Sequence, residues 1–163
     1  MIYFLMSNKN LLFLNFIVKY KNSDSTLKKE NRMPVEIRNL DGQLIITYHA
    51  NTLVDANLKN KNLTRADFRN MDLSKINLEY AHCRGANFSG ALLRDAYMPY
   101  AQCMEAIFHG TNFEGANIER VRFDNADLRD ALNLEKVTRD FRARFDGAIL
   151  PDGTKHSSVG DER

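Results

Sequence analysis

The chain of 163 residues lacks most of the features that mark metal, redox and membrane proteins. It has two cysteines, Cys83 and Cys103, without a CxxC pair or a Cys/His cluster, so it suggests neither a zinc site nor a disulfide scaffold. No apolar run approaches the roughly 18 residues that span a membrane. No Ser/His/Asp order, metal-ligand spacing or phosphate loop is present. We therefore expect no enzymatic activity, no cofactor and no metal ion.

The chain also lacks a large excess of either positive or negative charge. The chain carries 23 basic and 21 acidic residues, which is too balanced for a nucleic-acid-binding protein. Residues 1–32 hold six basic and two acidic groups, whereas residues 51–131 hold ten basic and eleven acidic groups. The mild basicity therefore comes from the N-terminal segment, and we expect no nucleic-acid partner.

Residues 1–32 contain no alanine, glycine or proline. One interpretation is a signal peptide with its apolar stretch at residues 11–18. Against this, Asn15 interrupts the apolar run and no small-residue cleavage site follows. We prefer the alternative that Met33 is the true start and that residues 1–32 are mis-annotated or a disordered extension. On that interpretation we expect a cytoplasmic protein.

Residues 33–50 predict a β-hairpin. Residues 35–38 alternate apolar and polar side chains, and residues 43–48 are rich in β-branched and aromatic side chains. Between them, residues 39–42 form a turn signal that ends in Gly42. We expect this hairpin to cover the open edge of the repeats that follow.

A five-residue period organises residues 51–131. Sixteen consecutive positions spaced by five, from Leu53 to Leu128, are all apolar, which would arise by chance about once in a million at this composition. Ten of the sixteen positions two residues earlier are alanine, and nine of the sixteen positions between the two registers are Asn or Asp. Residues two apart in an extended segment point the same way, so the pattern predicts short extended steps separated by corners. The four glycines of this region all lie two residues after the large apolar position, and we interpret them as corners that require a residue without Cβ.

Stretches such as Ala66–Asn70 (ADFRN), Ala86–Gly90 (ANFSG) and Ala126–Asp130 (ADLRD) resemble the A(D/N)LxX consensus of pentapeptide-repeat proteins. The resemblance implies an all-β fold, a right-handed quadrilateral β-helix with about four coils and four pentapeptides in each coil. Residues twenty apart would then stack on one another, near the strand spacing of about 4.8 Å. The segment Gly147–Thr154 also resembles a family ending.

After Leu128 the period breaks. Residues 134–142 predict a short helix or loop, because the apolar residues from Leu134 to Phe145 follow helical spacing. Ala143/Phe145 and Ala148/Leu150 then resemble repeats that are two residues out of phase. We expect a C-terminal cap over residues 132–152, with a last partial coil, and a disordered tail over residues 153–163.

The candidate interaction patch is the part of the outward surface that departs most from the repeat. It consists of Tyr80, Tyr97, Pro99, Tyr100 and Arg120. Tyr80, Tyr100 and Arg120 are spaced by twenty, so the lattice predicts that they stack in one column. Exposed aromatic side chains in a patch can mark a binding surface, although a tyrosine ladder can also simply stabilise the coil.

The sequence also gives an expectation for each of four further groups of residues. Cys83 and Cys103 should stack as small apolar side chains without a disulfide. Lys61 lies in the inward register, so we expect either a distorted first coil or a side chain that reaches out to solvent. Asp55, Lys75 and Asp95 should form a solvated column of alternating charge. The histidines form no cluster: His49, His82, His109 and His156.

These observations favour a non-enzymatic protein that offers a rigid surface to another protein. The alternative comes from the best-known activity of the family, mimicry of duplex DNA that modulates a type II topoisomerase such as gyrase. About four coils give a rod of about 19 Å, the length of only about six base pairs. A DNA mimic also needs acidic faces, and the repeat region nets −1 with its ten basic and eleven acidic groups.

Overall fold

The computed structural model describes residues 33–137 and 142–157. Our predictions for residues 1–32 and for residues 158–163 lie outside the described residues. The regular elements are β1 (Val35–Arg38), β2 (Leu44–Tyr48) and α1 (Leu134–Val137). The rest of the described chain is dominated by single-residue bridges and turns.

Strands β1 and β2 form an antiparallel hairpin in which Val35 pairs with Tyr48 and Ile37 pairs with Ile46. The turn closes through an N–H···O bond of 2.8 Å from Asn39 to Gln43, and Gly42 has a φ of 80°. Ile37 is fully buried against the repeats. The hairpin therefore shares the hydrophobic core of the repeats.

The body is a β-helix built from four parallel ladders. The ladders begin at Asn57, Asn62, Asp67 and Asp72, and each bridging residue pairs with the residue twenty positions later. Five-residue repeats give one bridging residue each, so one coil of twenty residues carries four ladders. The inward apolar register thereby stacks upon itself: Phe68 and Phe88 have ring centroids 4.9 Å apart, and Phe88 and Phe108 are 4.8 Å apart. The Leu/Phe register is buried throughout the repeats and supplies most of the core.

Every corner of the repeat region has the same backbone conformation. The residue two places after each large apolar position has a positive φ, and twelve of these sixteen residues are not glycine. An N–H···O bond spans each corner, as from Ala56 to Leu53 at 3.1 Å. Our interpretation that these corners require a residue without Cβ is therefore wrong, because the turn needs a left-handed φ that Asn, Asp and several larger residues also adopt.

The space around the corner glycines differs from one glycine to another. A Cβ added to Gly90 would collide with the side-chain oxygen of Asn70, and one added to Gly115 would collide with that of Asp95. Gly110 has open space around it. Both contacts involve the flexible end of a side chain, and Asn60 precedes Tyr80 in another column, so they show where a Cβ would displace a neighbour and not where glycine is required.

The Asn and Asp residues of the outward register have a structural role that the sequence pattern did not reveal. In all nine cases the side-chain oxygen accepts a hydrogen bond from the N–H group two residues later, as from Lys59 to Asn57 at 3.1 Å. That N–H belongs to the first central residue of the corner, where no ladder partner is available. Such Asx turns satisfy the donor and explain why these two residue types recur.

Lys61 is exposed, and the first coil around it is regular. The Lys61 N–H donates to Leu58 O at 3.1 Å, and the His82 N–H donates to Lys61 O at 2.9 Å. The expected distortion of this coil is therefore absent, because the side chain lies at an end of the β-helix where no coil covers it.

The C-terminal part of the ladders is offset by two residues. Arg122 pairs with Arg144 and Asp127 pairs with Ile149, so the spacing becomes 22. The chain then reverses, and the His156 N–H donates to Ala148 O at 2.7 Å. Residues 154–156, which we expected in a disordered tail, therefore form an antiparallel return. It exists because Gly153, with a φ of 83°, allows the tight turn after Pro151.

Among the residues that the structure describes, no helix has the length and apolar character needed to cross a membrane.

Candidate functional site: the tyrosine patch

The structure brings Tyr80, Tyr100 and Arg120 together in one outward column. The rings of Tyr80 and Tyr100 stack with centroids 4.9 Å apart and an interplanar angle of 13°. Arg120 Nη1 donates a hydrogen bond of 3.2 Å to Tyr100 Oη, and its guanidinium carbon lies 5.4 Å from the Tyr100 ring centroid. The column thus combines a stacked aromatic pair with a cation–π contact.

This column occupies corners that are unfavourable for such side chains. The φ angles of Tyr80, Tyr100 and Arg120 are 55°, 60° and 52°. A left-handed conformation costs an L-residue other than glycine, Asn or Asp about 1–2 kcal/mol. Tyr80 is nonetheless 44% exposed, so burial of its ring offsets little of that cost.

Tyr97 and Pro99 form the second part of the tyrosine patch, on the adjoining ladder. Tyr97 occupies the position at which nine other repeats have Asn or Asp. Unlike those residues, it has no side-chain oxygen placed to accept a hydrogen bond from the residue two positions later. That residue is Pro99, which has no N–H group and whose φ suits the first central position of a turn. The missing acceptor therefore leaves no unsatisfied donor, and Tyr97 is free to point outward with 44% of its surface exposed.

Pro99 itself is buried, which differs from its predicted place on the patch surface. Its ring fixes the corner between Tyr97 and Tyr100, and its carbonyl accepts the Tyr80 N–H at 3.0 Å. Pro99 therefore fixes the corner between Tyr97 and Tyr100 and does not itself offer a contact surface.

A lysine borders the tyrosine patch. Lys59 Nζ lies 2.6 Å from Glu79 Oε2. The hydrogen bond to Glu79 raises the pKa of Lys59 above its usual value, and the Tyr80 and Tyr97 hydroxyls add smaller contributions in the same direction. The ammonium group thus lies close to both tyrosines, but its partner Glu79 neutralises it. The patch is consequently aromatic, with paired charges at its border.

The sequence did not single out a second polar group, His109 with Asp127 and Arg129. His109 Nε2 lies 2.8 Å from Asp127 Oδ2, and Arg129 Nη2 lies 2.6 Å from the same oxygen. Hydrogen bonds from Arg129, then from His109, hold the pKa of Asp127 well below its usual range. The useful signal would have been the 18-residue separation of His109 and Asp127. Ile107 pairs with Asp127, and His109, two residues after Ile107, is the first central residue of the next corner.

The remaining candidates do not form a chemical centre. Cys83 and Cys103 are free and buried, and the Cys83 thiol together with burial raises the pKa of Cys103 well above its usual value. No ion pair joins Asp55, Lys75 and Asp95 in the described part of the chain. No group of side chains suited to hold a metal ion occurs within residues 33–137 and 142–157. The tyrosine patch is therefore the best-supported candidate site.

The four ladders, the buried apolar register and the repeated corners define the class of this protein as a β-helical solenoid with an aromatic outward patch. A profile of the family described as Pentapeptide repeats matches eight copies, over residues 52–78, 72–102 and 106–137. These matches cover half of the chain, and the protein belongs to the pentapeptide-repeat family.

Solved structures of the same family show similarity over part of the chain. They include Rfr23 from the cyanobacterium Cyanothece 51142, with 26% identity over 61% of this chain and 63% of that chain and a TM-score of 0.48. HetL, involved in heterocyst differentiation regulation in Nostoc sp. strain PCC 7120, has 26% identity over 64% of this chain and 55% of its own, with a TM-score of 0.39. QnrB1, a plasmid-mediated fluoroquinolone resistance protein, has 21% identity over 61% and 55%, with a TM-score of 0.31.

The chain thus spans 55–63% of the length of these three proteins. Comparison with curated protein sequences gave no significant match.

Proposed function

We propose that this protein is a non-enzymatic interaction module whose rigid β-helix presents the tyrosine patch to another protein. The contact residues are Tyr80, Tyr97, Tyr100 and Arg120, and Pro99 fixes their arrangement. The finer features of the fold belong to the same proposal, namely right-handed winding, about four coils of quadrilateral cross-section, and caps formed by the hairpin and by residues 132–152. We also propose a cytoplasmic location.

The observation that carries the proposal is the stack of Tyr80 on Tyr100 at the surface, beside Tyr97, with Tyr80 and Tyr97 each 44% exposed. Tyr80 and Tyr100 have φ angles of 55° and 60°, where Asn or Gly would fit more easily. Exposed aromatic side chains grouped in one patch are typical of surfaces that contact a partner. Tyr and Arg are also the residue types that contribute most at protein interfaces.

The form of the patch supports a protein partner over nucleic acid. Lys59 and Arg120, the cations beside the tyrosines, lie next to Glu79 and Glu119, with N···O distances of 2.6 and 4.0 Å. The surface therefore offers little net positive charge to a phosphate backbone. A surface of stacked rings with paired charges at its border resembles the aromatic centre and polar rim of protein interfaces.

The test is a pull-down from cells of the natural host with the wild-type chain and with the triple variant Tyr80→Asn, Tyr97→Asn, Tyr100→Asn. Asn suits a left-handed corner, so the variant removes the rings without straining the backbone. A matched control, Lys75→Asn with Asp95→Asn, alters a different corner column. We expect a partner that binds the wild type and the control but not the triple variant. Equal recovery with the triple variant would remove the patch from the proposal.

Mimicry of duplex DNA receives no support from the charges of the repeats, which number ten basic and eleven acidic over residues 51–131. A gyrase supercoiling assay distinguishes the two functions. We expect no effect of the purified chain at low micromolar concentration, and inhibition at that concentration would replace the proposed function with the alternative.

A further inference from the structure

The first coil leaves part of its backbone without partners. In later coils the N–H group of each bridging residue donates to the coil before, as from His82 to Lys61 O at 2.9 Å. In the first coil, Asp67 N–H donates instead to Arg38 O at 2.8 Å, and Asn57 N–H donates to the Tyr48 hydroxyl at 3.3 Å. Within the described residues, the N–H groups of the other two first-coil bridging residues, Asn62 and Asp72, have no acceptor.

Lys61 stands directly beside one of these open positions, in the inward register of small residues. Ala56 and Ala66, the equivalent residues on two other ladders, are buried, and Met71 on the fourth is half-buried against the core. Lys61 alone among the four is exposed. The residues below it in the same column are small or apolar and fully buried: Ala81, Ala101 and Val121.

An open backbone edge above an apolar column is a template on which a second β-helix can stack. Proteins often protect such edges with a charged residue that points inward, because pairing would bury its charge. A coil stacked above Lys61 would enclose the ammonium group between Ala81 and the incoming side chain, with no carboxylate of its own chain in an ion pair with it in the described part. Burial of an unpaired charge is strongly unfavourable.

We propose that Lys61 protects the open edge at Asn62 and prevents two copies of this chain from stacking end to end through their first coils. The inference is independent of the proposed function, because the tyrosine patch lies on an outward surface and this edge lies at the end of the solenoid. It assigns a purpose to the one inward position of the repeats that carries a charge.

The test compares the full chain with Lys61→Ala, which introduces the residue that the register has in ten repeats, by sedimentation velocity from low micromolar to near-millimolar protein. We expect the wild type to remain monomeric and Lys61→Ala to form a dimer with a dissociation constant at least about 10-fold lower, on the scale where tenfold equals 1.4 kcal/mol. At the higher concentrations, the Asn62 amide of the variant should exchange its hydrogen more slowly, whereas the amides of the tyrosine patch should not change.

Two controls separate the position from the loss of charge. Lys61→Glu keeps an inward charge and should stay monomeric, and Lys75→Ala removes an exposed lysine from an outward corner and should also stay monomeric. Circular dichroism should show that all variants retain the wild-type fold. Equal sedimentation of Lys61→Ala and wild type would overturn the proposal, as would equal dimerisation of Lys75→Ala or dimerisation of the wild type with the affinity expected of Lys61→Ala.

Discussion

Two corner columns of this β-helix share one backbone conformation and carry opposite kinds of side chain. The tyrosine column consists of Asn60, Tyr80, Tyr100 and Arg120. The glycine column consists of Asn70, Gly90, Gly110 and Asp130. The φ angles lie between 52° and 60° in the first column and between 57° and 69° in the second. Backbone geometry therefore does not decide the residue type, and the difference must come from what lies above the corner and outside it.

In the glycine column, the neighbouring coil determines how much space an added Cβ would have. The Asn70 side chain reaches over Gly90 and occupies the space of a Cβ, whereas nothing occupies that space at Gly110. In the tyrosine column, each side chain extends outward and stacks on the next, at 4.9 Å between Tyr80 and Tyr100. The comparison teaches that one corner conformation accepts either a stacked ring or a residue without a side chain, since Asn precedes both Tyr80 and Gly90 one coil earlier.

The largest effect is expected from the inner register that supports both columns. Phe88 is fully buried, and its ring stacks between those of Phe68 and Phe108. Phe88→Ala should lower the free energy of unfolding by about 3–5 kcal/mol, because it removes a large apolar side chain and leaves a cavity. Urea denaturation followed by circular dichroism measures this. A loss below about 1 kcal/mol would mean that the stack contributes little to the core.

The next largest effect distinguishes the two glycines. Gly90→Ala should destabilise by about 1.5–3.5 kcal/mol, because a left-handed Ala is strained and its Cβ forces the Asn70 side chain out of its present rotamer. Gly110→Ala carries the backbone cost alone and should destabilise by about 1–2 kcal/mol.

Thermal denaturation of both variants checks this order. A double variant, Asn70→Gly with Gly90→Ala, should recover the part of the loss that comes from the collision. Equal losses for Gly90→Ala and Gly110→Ala would show that only φ matters.

A small effect is expected when the tyrosine column is given the residues that corners favour. Tyr80→Asn with Tyr100→Asn loses an aromatic pair worth about 0.5–1.5 kcal/mol and relieves left-handed strain of similar size. The free energy of unfolding should change by less than about 1 kcal/mol in chemical denaturation. A loss of several kcal/mol would assign the tyrosines to the stability of the fold and weaken their role in binding.

The smallest effect concerns pH, on the ladder that adjoins the glycine column. Arg129 and then His109 lower the folded pKa of Asp127 below its ordinary value of 3.8. A lowered folded pKa means that the contribution of Asp127 to stability is complete above pH 3.8 and is lost as the pH falls toward the folded pKa. Asp127→Asn should therefore reduce stability modestly at neutral pH and flatten its decline in acid.

Acid titration of the unfolding free energy measures this. Asp55→Asn, at a corner without an ion pair in the described residues, is the control and should keep the wild-type slope. Identical acid profiles for Asp127→Asn and wild type would rule out a contribution from the Asp127 carboxylate.

The sequence predicted the inner part of this fold well, because burial imposes its period directly. The Ala and Leu/Phe registers face inward along the ladders, and the Phe68–Phe88 stack follows from their spacing of twenty. The corners were harder to predict. Their left-handed φ arises from the turn itself. Residue types such as Arg65 and Lys75 do not indicate that conformation, so the sequence does not reveal it.

For the candidate site, the sequence predicted the stack of Tyr80 on Tyr100, since both lie in one column. It did not predict that Pro99 is buried, because the outward register does not show which way a ring at the corner turns. It also missed the pair of His109 and Asp127, which lie in different coils and different positions of the repeat. Contacts along one column follow from the lattice, whereas contacts between columns depend on side-chain direction.

Pro99 has a consequence for how this surface can change over evolutionary time. At the nine Asn and Asp positions, a substitution removes the side-chain acceptor of the corner N–H group, which must then bond to water. At position 97 that loss is absent, because the proline has already removed the donor. A mutation at position 97 therefore changes the outward surface without removing a hydrogen bond of the corner, so this position can follow a changing partner at little cost to the fold.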